Sequence, residues 1–144
     1  MNPALMASMN KIDINLIIKT IIVIVAFVFG ITYLRKYLKK KKSQSVINNL
    51  DKDVNVNKLT YPLSYYGIWA RDLLNAMKGL GTNEQAIYDI FKKLQNKSDI
   101  LQLITAFGVE DGETLTQWII GELGDDEKAT LNRLLNDKNI NYQF

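Results

Sequence analysis

The sequence predicts an all-α protein in which one transmembrane helix precedes a compact five-helix domain. Leu16–Leu34 is a run of 19 residues whose only charged member is Lys19. From Thr60 onward, apolar residues recur at the three- and four-residue intervals of amphipathic helices, without the alternation typical of strands. These observations divide the chain into three segments. Residues 1–42 contain the membrane helix, at about 14–34, and a basic cluster. Residues 43–59 form a polar tether, and residues 60–144 form a soluble domain.

The apolar run has the length of a membrane-spanning helix. At about 1.5 Å per residue it extends about 28 Å, close to the ~30 Å thickness of the hydrocarbon core. A cleaved signal peptide is the alternative, but it would carry its basic residues first and a cleavage site afterwards. Lys19 lies about one turn from the end of the run, where its amine can snorkel to the interface.

Charge is distributed unevenly along the chain. Residues 1–58 hold ten Lys/Arg against three Asp/Glu, and residues 59–144 hold eight against twelve. Six basic residues follow the apolar run: Arg35, Lys36, Lys39, Lys40, Lys41 and Lys42. The positive-inside rule then places the C-terminal domain on the cytoplasmic face. Because this charge adjoins an apolar segment, the expected partner is a bilayer containing anionic lipids, and no nucleic acid is expected.

The composition argues against most enzyme classes. The chain contains no Cys and no His, which excludes thiolate nucleophiles, imidazole metal sites and His-based triads. We therefore expect a protein that is not an enzyme.

The segment 43–59 is polar and rich in Asn, and only Val46 to Leu50 show a weak helical pattern. It is predicted to be a tether that is helical in part. A fragment starting near Lys58 is accordingly expected to fold without the anchor.

Five apolar stripes predict the helices of the domain. Their members are Trp69, Leu73, Leu74 and Met77; Ala86, Ile87, Ile90, Phe91 and Leu94; Ile100, Leu101, Ile104 and Phe107; Leu115, Trp118, Ile119 and Leu123; and Ala129, Leu131, Leu134 and Leu135. Predicted N-caps are Thr82, with Gln85 completing a capping box, then Ser98, and then Asp125 or Asp126. Gly79 ends the first of these helices, and the segment from Gly108 to Gly112 separates the third from the fourth.

The junction between the first two helices reads Lys78-Gly79-Leu80-Gly81-Thr82, and Gly121-Glu122-Leu123 follows downstream. Over residues 62–136 the chain resembles a single annexin repeat, a five-helix unit with a K-G-x-G-T loop and a later acidic residue. The resemblance implies an annexin-repeat-like fold. Two differences are that annexins usually carry four repeats and that Glu113 stands where they usually place an Arg.

The resemblance also implies a Ca²⁺ site in this loop. Its ligands would be the backbone carbonyls of Met77, Gly79 and Gly81 together with the carboxylate of Glu122, and in annexins such calcium bridges to anionic phospholipid. Two glycines separated by one residue allow a tight turn, and Ca²⁺ accepts carbonyl and carboxylate oxygens. The alternative is that the glycines make a helix corner and nothing more.

The sequence thus predicts a non-enzymatic, membrane-anchored interaction or structural module with an annexin-like domain that binds Ca²⁺ and anionic lipid. The alternative function is a minor virion membrane protein that links bilayer to capsid in a membrane-containing virus or phage. In that case its location is the virion membrane, and its partners are other structural proteins of a larger assembly. A single span, a basic juxtamembrane cluster and the absence of catalytic residues fit both functions.

Overall fold

A computed structural model describes residues Ile14–Phe144. The predicted N-terminal segment ahead of the membrane helix, with Lys11 and Asp13, lies outside the described residues. The chain divides after Tyr37 into two units, residues 1–37 and 38–144. The elements are α1 Ile14–Asp53, a 3-10 turn Val56–Lys58, α2 Leu63–Met77, α3 Glu84–Phe91, α4 Lys97–Phe107, β1 Val109–Glu110, β2 Glu113–Thr114, α5 Leu115–Glu122 and α6 Asp125–Asp137.

Helix α1 is 40 residues long. By length and composition it can cross a membrane, and none of its most apolar stretch is buried. The predictions of a mainly helical chain and of one long apolar helix near the N-terminus are therefore confirmed. Lys19 is exposed on this helix.

The segment predicted as a tether, 43–59, differs in the structure. Helix α1 continues to Asp53, and Ser43 and Ile47 are buried in the second unit. The stretch from Ile31 to Asp53 contains neither Gly nor Pro, so nothing in it interrupts the helix. Residues four apart share a helix face, which explains how a mostly polar segment buries two side chains.

The core of the second unit lies among α2–α6. Helix α2 packs against α3 and α4, and α3 packs against α6. Its largest fully buried side chains include Tyr66, Phe91, Leu73, Met77, Ile87 and Leu131. The predicted stripes supply most of this core. Among their members, Ala129 is exposed, and four are only partly buried: Leu74, Ala86, Trp118 and Leu134.

Three predicted N-caps are not the caps in the structure. The side chain of Asn83 caps α3 by accepting from the Ala86 N–H, and that of Asn96 caps α4 by accepting from the Asp99 N–H. Helix α6 begins after Gly124 without a side-chain cap. Asn is as good a cap as Ser and better than Thr, so at α3 and α4 a neighbouring Asn replaces the predicted Thr82 and Ser98.

A short antiparallel hairpin joins α4 to α5, where the sequence predicted only a break. Val109 pairs with Thr114 and Glu110 with Glu113. Asp111 and Gly112 occupy its turn with φ of 51° and 89°, the left-handed conformation that favours Asp and Gly in two-residue hairpin turns. Thr114 then caps α5 in a capping box with Gln117.

Candidate functional site

The connection between α2 and α3 forms a tight, exposed loop, residues 78–82, called the glycine loop below. The Asn83 N–H donates to the Ala76 carbonyl at 2.8 Å, which closes the loop. Gly79 and Gly81 have φ of 126° and 86°, values that side chains with a Cβ rarely adopt. Leu80 stands between them with its side chain fully exposed.

The structure brings Glu122 to this loop. Glu122 is the last residue of α5 and is exposed, and its Oε2 accepts a hydrogen bond from Thr82 Oγ1 at 2.9 Å. The two residues are 40 positions apart in the chain. Met77 ends α2 with its side chain buried, so its backbone carbonyl is the group that could serve as a ligand.

A hard cation at the glycine loop would have few donors. Within residues 14–144 no group of three or more acidic side chains is placed to hold a metal ion. A cation at the glycine loop would therefore depend on carbonyl oxygens and the single carboxylate of Glu122. Such a donor set suits Ca²⁺, which tolerates irregular oxygen coordination, better than Mg²⁺, which requires near-ideal octahedral geometry.

The hairpin between α4 and α5 contributes acidic side chains near the same loop, and they are paired with lysines. Asp111 Oδ2 lies 3.6 Å from Lys78 Nζ, and Glu113 pairs with Lys39 of α1. These side chains are about a third exposed or more, so each pair contributes little to stability. One pair joins the hairpin to the glycine loop and the other joins it to Lys39 of α1.

The predicted membrane-binding residues all lie on α1 with exposed side chains: Arg35, Lys36, Lys39, Lys40, Lys41 and Lys42. Lys39 is the one of the six that forms an ion pair among the residues described. Within residues 14–144 the other five form no ion pair.

Two contacts at the site were missed by sequence reasoning. Thr82 was predicted as a helix cap, whereas its hydroxyl binds Glu122. Ser43 was assigned to a tether, whereas its hydroxyl lies 2.8 Å from the Gly112 carbonyl in the hairpin turn. Both contacts join residues far apart in sequence, and no local pattern signals such pairs.

Comparison with known proteins identified no family for this chain. No protein-family model, curated protein or solved structure matched it. The resemblance of residues 62–136 to an annexin repeat therefore stays a prediction from the sequence.

Proposed function

We propose that this chain is a non-enzymatic, single-pass membrane protein whose helical domain is an interaction module held at the bilayer surface. The most apolar stretch of helix α1, none of which is buried, supports the anchor. Lys39, which pairs with the hairpin, follows the apolar run by only five residues, so the chain between the proposed span and the domain is short.

The proposal extends to Ca²⁺-dependent contact with anionic lipid through the glycine loop. The observation that carries it is the Thr82–Glu122 hydrogen bond, which holds a carboxylate against a loop of two left-handed glycines. The Thr82 hydroxyl contacts one oxygen of Glu122, and the other oxygen has no hydrogen bond among the residues described. Leu80, fully exposed at the tip, would bury apolar surface on entering a bilayer interface.

The calcium proposal is tested by calorimetry on the full chain in detergent. Bound metal stabilises only the folded state, so millimolar Ca²⁺ should raise the melting temperature, with Mg²⁺ acting much less. One carboxylate supplies little negative charge, so we expect a Kd of roughly 10⁻⁴–10⁻³ M.

Glu122→Gln keeps the shape of the side chain and removes its charge, so it should abolish the calcium-dependent shift. Glu127→Gln, at the N-terminal end of α6, is the matched control and should retain the shift. No binding heat at several millimolar Ca²⁺, with Glu122→Gln behaving like the unaltered chain, would leave the loop as a helix corner only.

Topology is tested separately by protease protection in sealed vesicles. The six basic residues after the apolar run predict that residues 60–144 lie on the cytoplasmic side. Protease added to right-side-out vesicles should leave the domain intact, and detergent should make it cleavable. Cleavage of the domain in intact right-side-out vesicles would contradict this orientation.

The alternative role in a virion membrane is tested by copurification. A structural virion protein would copurify with membrane-containing virions at a fixed ratio to the capsid protein. Recovery in host membranes alone would contradict that alternative.

A further inference from the structure

A groove follows one face of the C-terminal half of α1. Residues 39, 42, 46, 50 and 53 form this face, because they are three or four positions apart. Two cavities of about 490 and 700 Å³ lie along it. Leu50 and Tyr142 line both cavities, so the two adjoin, and together they are called the basic groove below.

The lining of the basic groove combines apolar side chains with lysines. Its apolar part includes Val46, which is 44% exposed, and the partly buried Leu50 and Tyr142. Lysines stand at both ends: Lys39 and Lys42 at one, Lys58 and Lys97 at the other.

The charge of the basic groove is largely uncompensated. Among residues 14–144, Lys42, Lys58 and Lys97 form no ion pair, and only Lys39 does, with Glu113. Asp53 is the one acidic residue that lines either cavity. The groove therefore presents apolar surface between two positively charged ends.

We infer that the basic groove binds an acidic, amphipathic segment of a partner protein. From residue 39 to residue 53, α1 rises about 21 Å, which equals about four helical turns of a partner. An amphipathic helix places apolar residues toward such a groove and acidic residues toward its rim. A single lipid headgroup is too short to reach both lysine pairs.

This binding site is separate from the proposed calcium site. None of the residues lining the basic groove belongs to the glycine loop, and Glu122 is not among them. Peptide binding measured without calcium can therefore succeed or fail independently of the function proposed above.

The test uses the full chain in nanodiscs of phosphatidylcholine and a fluorescent synthetic peptide. The probe is a helical peptide of Leu and Glu with Leu along one face, and a Leu/Lys peptide of the same pattern is the comparison. Fluorescence anisotropy should show saturable binding of the Leu/Glu peptide, weakened by added salt, and little binding of the Leu/Lys peptide.

Variants test whether the Leu/Glu peptide binds in the basic groove. The double variant Lys58→Glu/Lys97→Glu should weaken binding at least tenfold, about the effect of losing close charge complementarity. Val46→Glu should weaken binding too, and because Val46 is exposed, an unchanged circular dichroism spectrum excludes misfolding as the cause. Lys52→Glu, on the same helix but outside the groove, is the control and should change the affinity by less than about threefold.

Equal binding of both peptides, or no effect of the groove variants, would overturn the inference. A further experiment adds phosphatidylserine to the nanodisc and repeats the peptide titration. If it blocks the peptide in the unaltered chain, and Lys58→Glu/Lys97→Glu abolishes the lipid's effect, the groove is a lipid site and the inference is wrong.

Discussion

Asp99 shows how one buried side chain joins segments that are distant in sequence. Asp99 is fully buried at the start of α4. Its carboxylate accepts two hydrogen bonds from Thr60, one from the N–H at 2.9 Å and one from the hydroxyl at 2.8 Å. It also accepts from the Tyr66 hydroxyl at 2.5 Å and from the Gln95 N–H at 2.8 Å. The Asp99 carboxylate thereby joins the segment that precedes α2, helix α2 itself and helix α4.

The same contacts determine how Asp99 titrates. Burial alone would raise the pKa of its carboxyl, but the hydrogen bonds from Thr60, Tyr66 and Gln95 outweigh burial and hold the pKa below its ordinary value. Burial and the bond to Asp99 raise the pKa of the Tyr66 hydroxyl, so Tyr66 remains a donor at neutral pH.

Replacing Asp99 with Asn should lower the free energy of unfolding by about 1.5–3 kcal/mol at neutral pH, because charged hydrogen bonds are lost. Since the folded-state pKa lies below the unfolded value near 4, this stabilisation is present above about pH 4 and is lost as the pH falls through the folded-state pKa. Thermal unfolding by circular dichroism should show the two proteins converging in acid. A constant difference between them from neutral pH down through that range would contradict this assignment.

At the scale of elements, the glycine loop contains a position where the local backbone, and not the surrounding residues, restricts side chains. Apart from its two chain neighbours, a Cβ built on Gly81 meets no atom within 4 Å, yet the φ of Gly81, 86°, lies in the left-handed region. The restriction at this position is therefore conformational. Gly67, within α2, also has open space around a built Cβ and has no positive φ.

Alanine substitutions at these two glycines should have opposite effects. Gly81→Ala should lower the free energy of unfolding by about 1–2 kcal/mol, with or without calcium, because the left-handed conformation is strained. Gly67→Ala should raise it by about 0.5–1 kcal/mol, because alanine loses less entropy in a helix. Equal effects in denaturant titrations would show that the loop does not hold Gly81 in this conformation.

At the scale of the whole molecule, the soluble domain begins earlier than the sequence indicated. Ile47 of α1 is 5% exposed within the domain core, and Ser43 Oγ contacts the Gly112 carbonyl. A fragment beginning near Lys58 lacks both residues. The second unit, beginning at Leu38, contains them.

The fragment 38–144 should therefore be more stable than 58–144 by at least about 2 kcal/mol, the lower value for emptying a buried Ile site. Within the longer fragment, Ile47→Ala should cost about 2–5 kcal/mol, whereas Val46→Ala, at an exposed position, should cost far less. Chemical denaturation measures all four proteins. If 58–144 equals 38–144 in stability, the contacts of Ser43 and Ile47 do not stabilise the domain.

Much of this protein follows from its sequence alone. The apolar run, the basic cluster after it and the five helical stripes of the domain are local patterns, because helix periodicity and hydropathy depend on residues within a few positions of each other. The sequence also predicted the tight loop at Gly79 and Gly81, since such turns need residues that tolerate positive φ.

Tertiary structure decided the partners of the long-range polar contacts. The resemblance placed Glu122 at the glycine loop, but its hydrogen bond from Thr82, 40 residues away, is seen only in the structure. The same holds for the bond between Asp99 and Thr60, 39 residues apart. The burial of Ser43 and Ile47 depends on a surface that the later helices create, so the polar composition of 43–59 resembled a tether. Local sequence governs which segments become helical, whereas the faces that meet are determined by packing among distant segments.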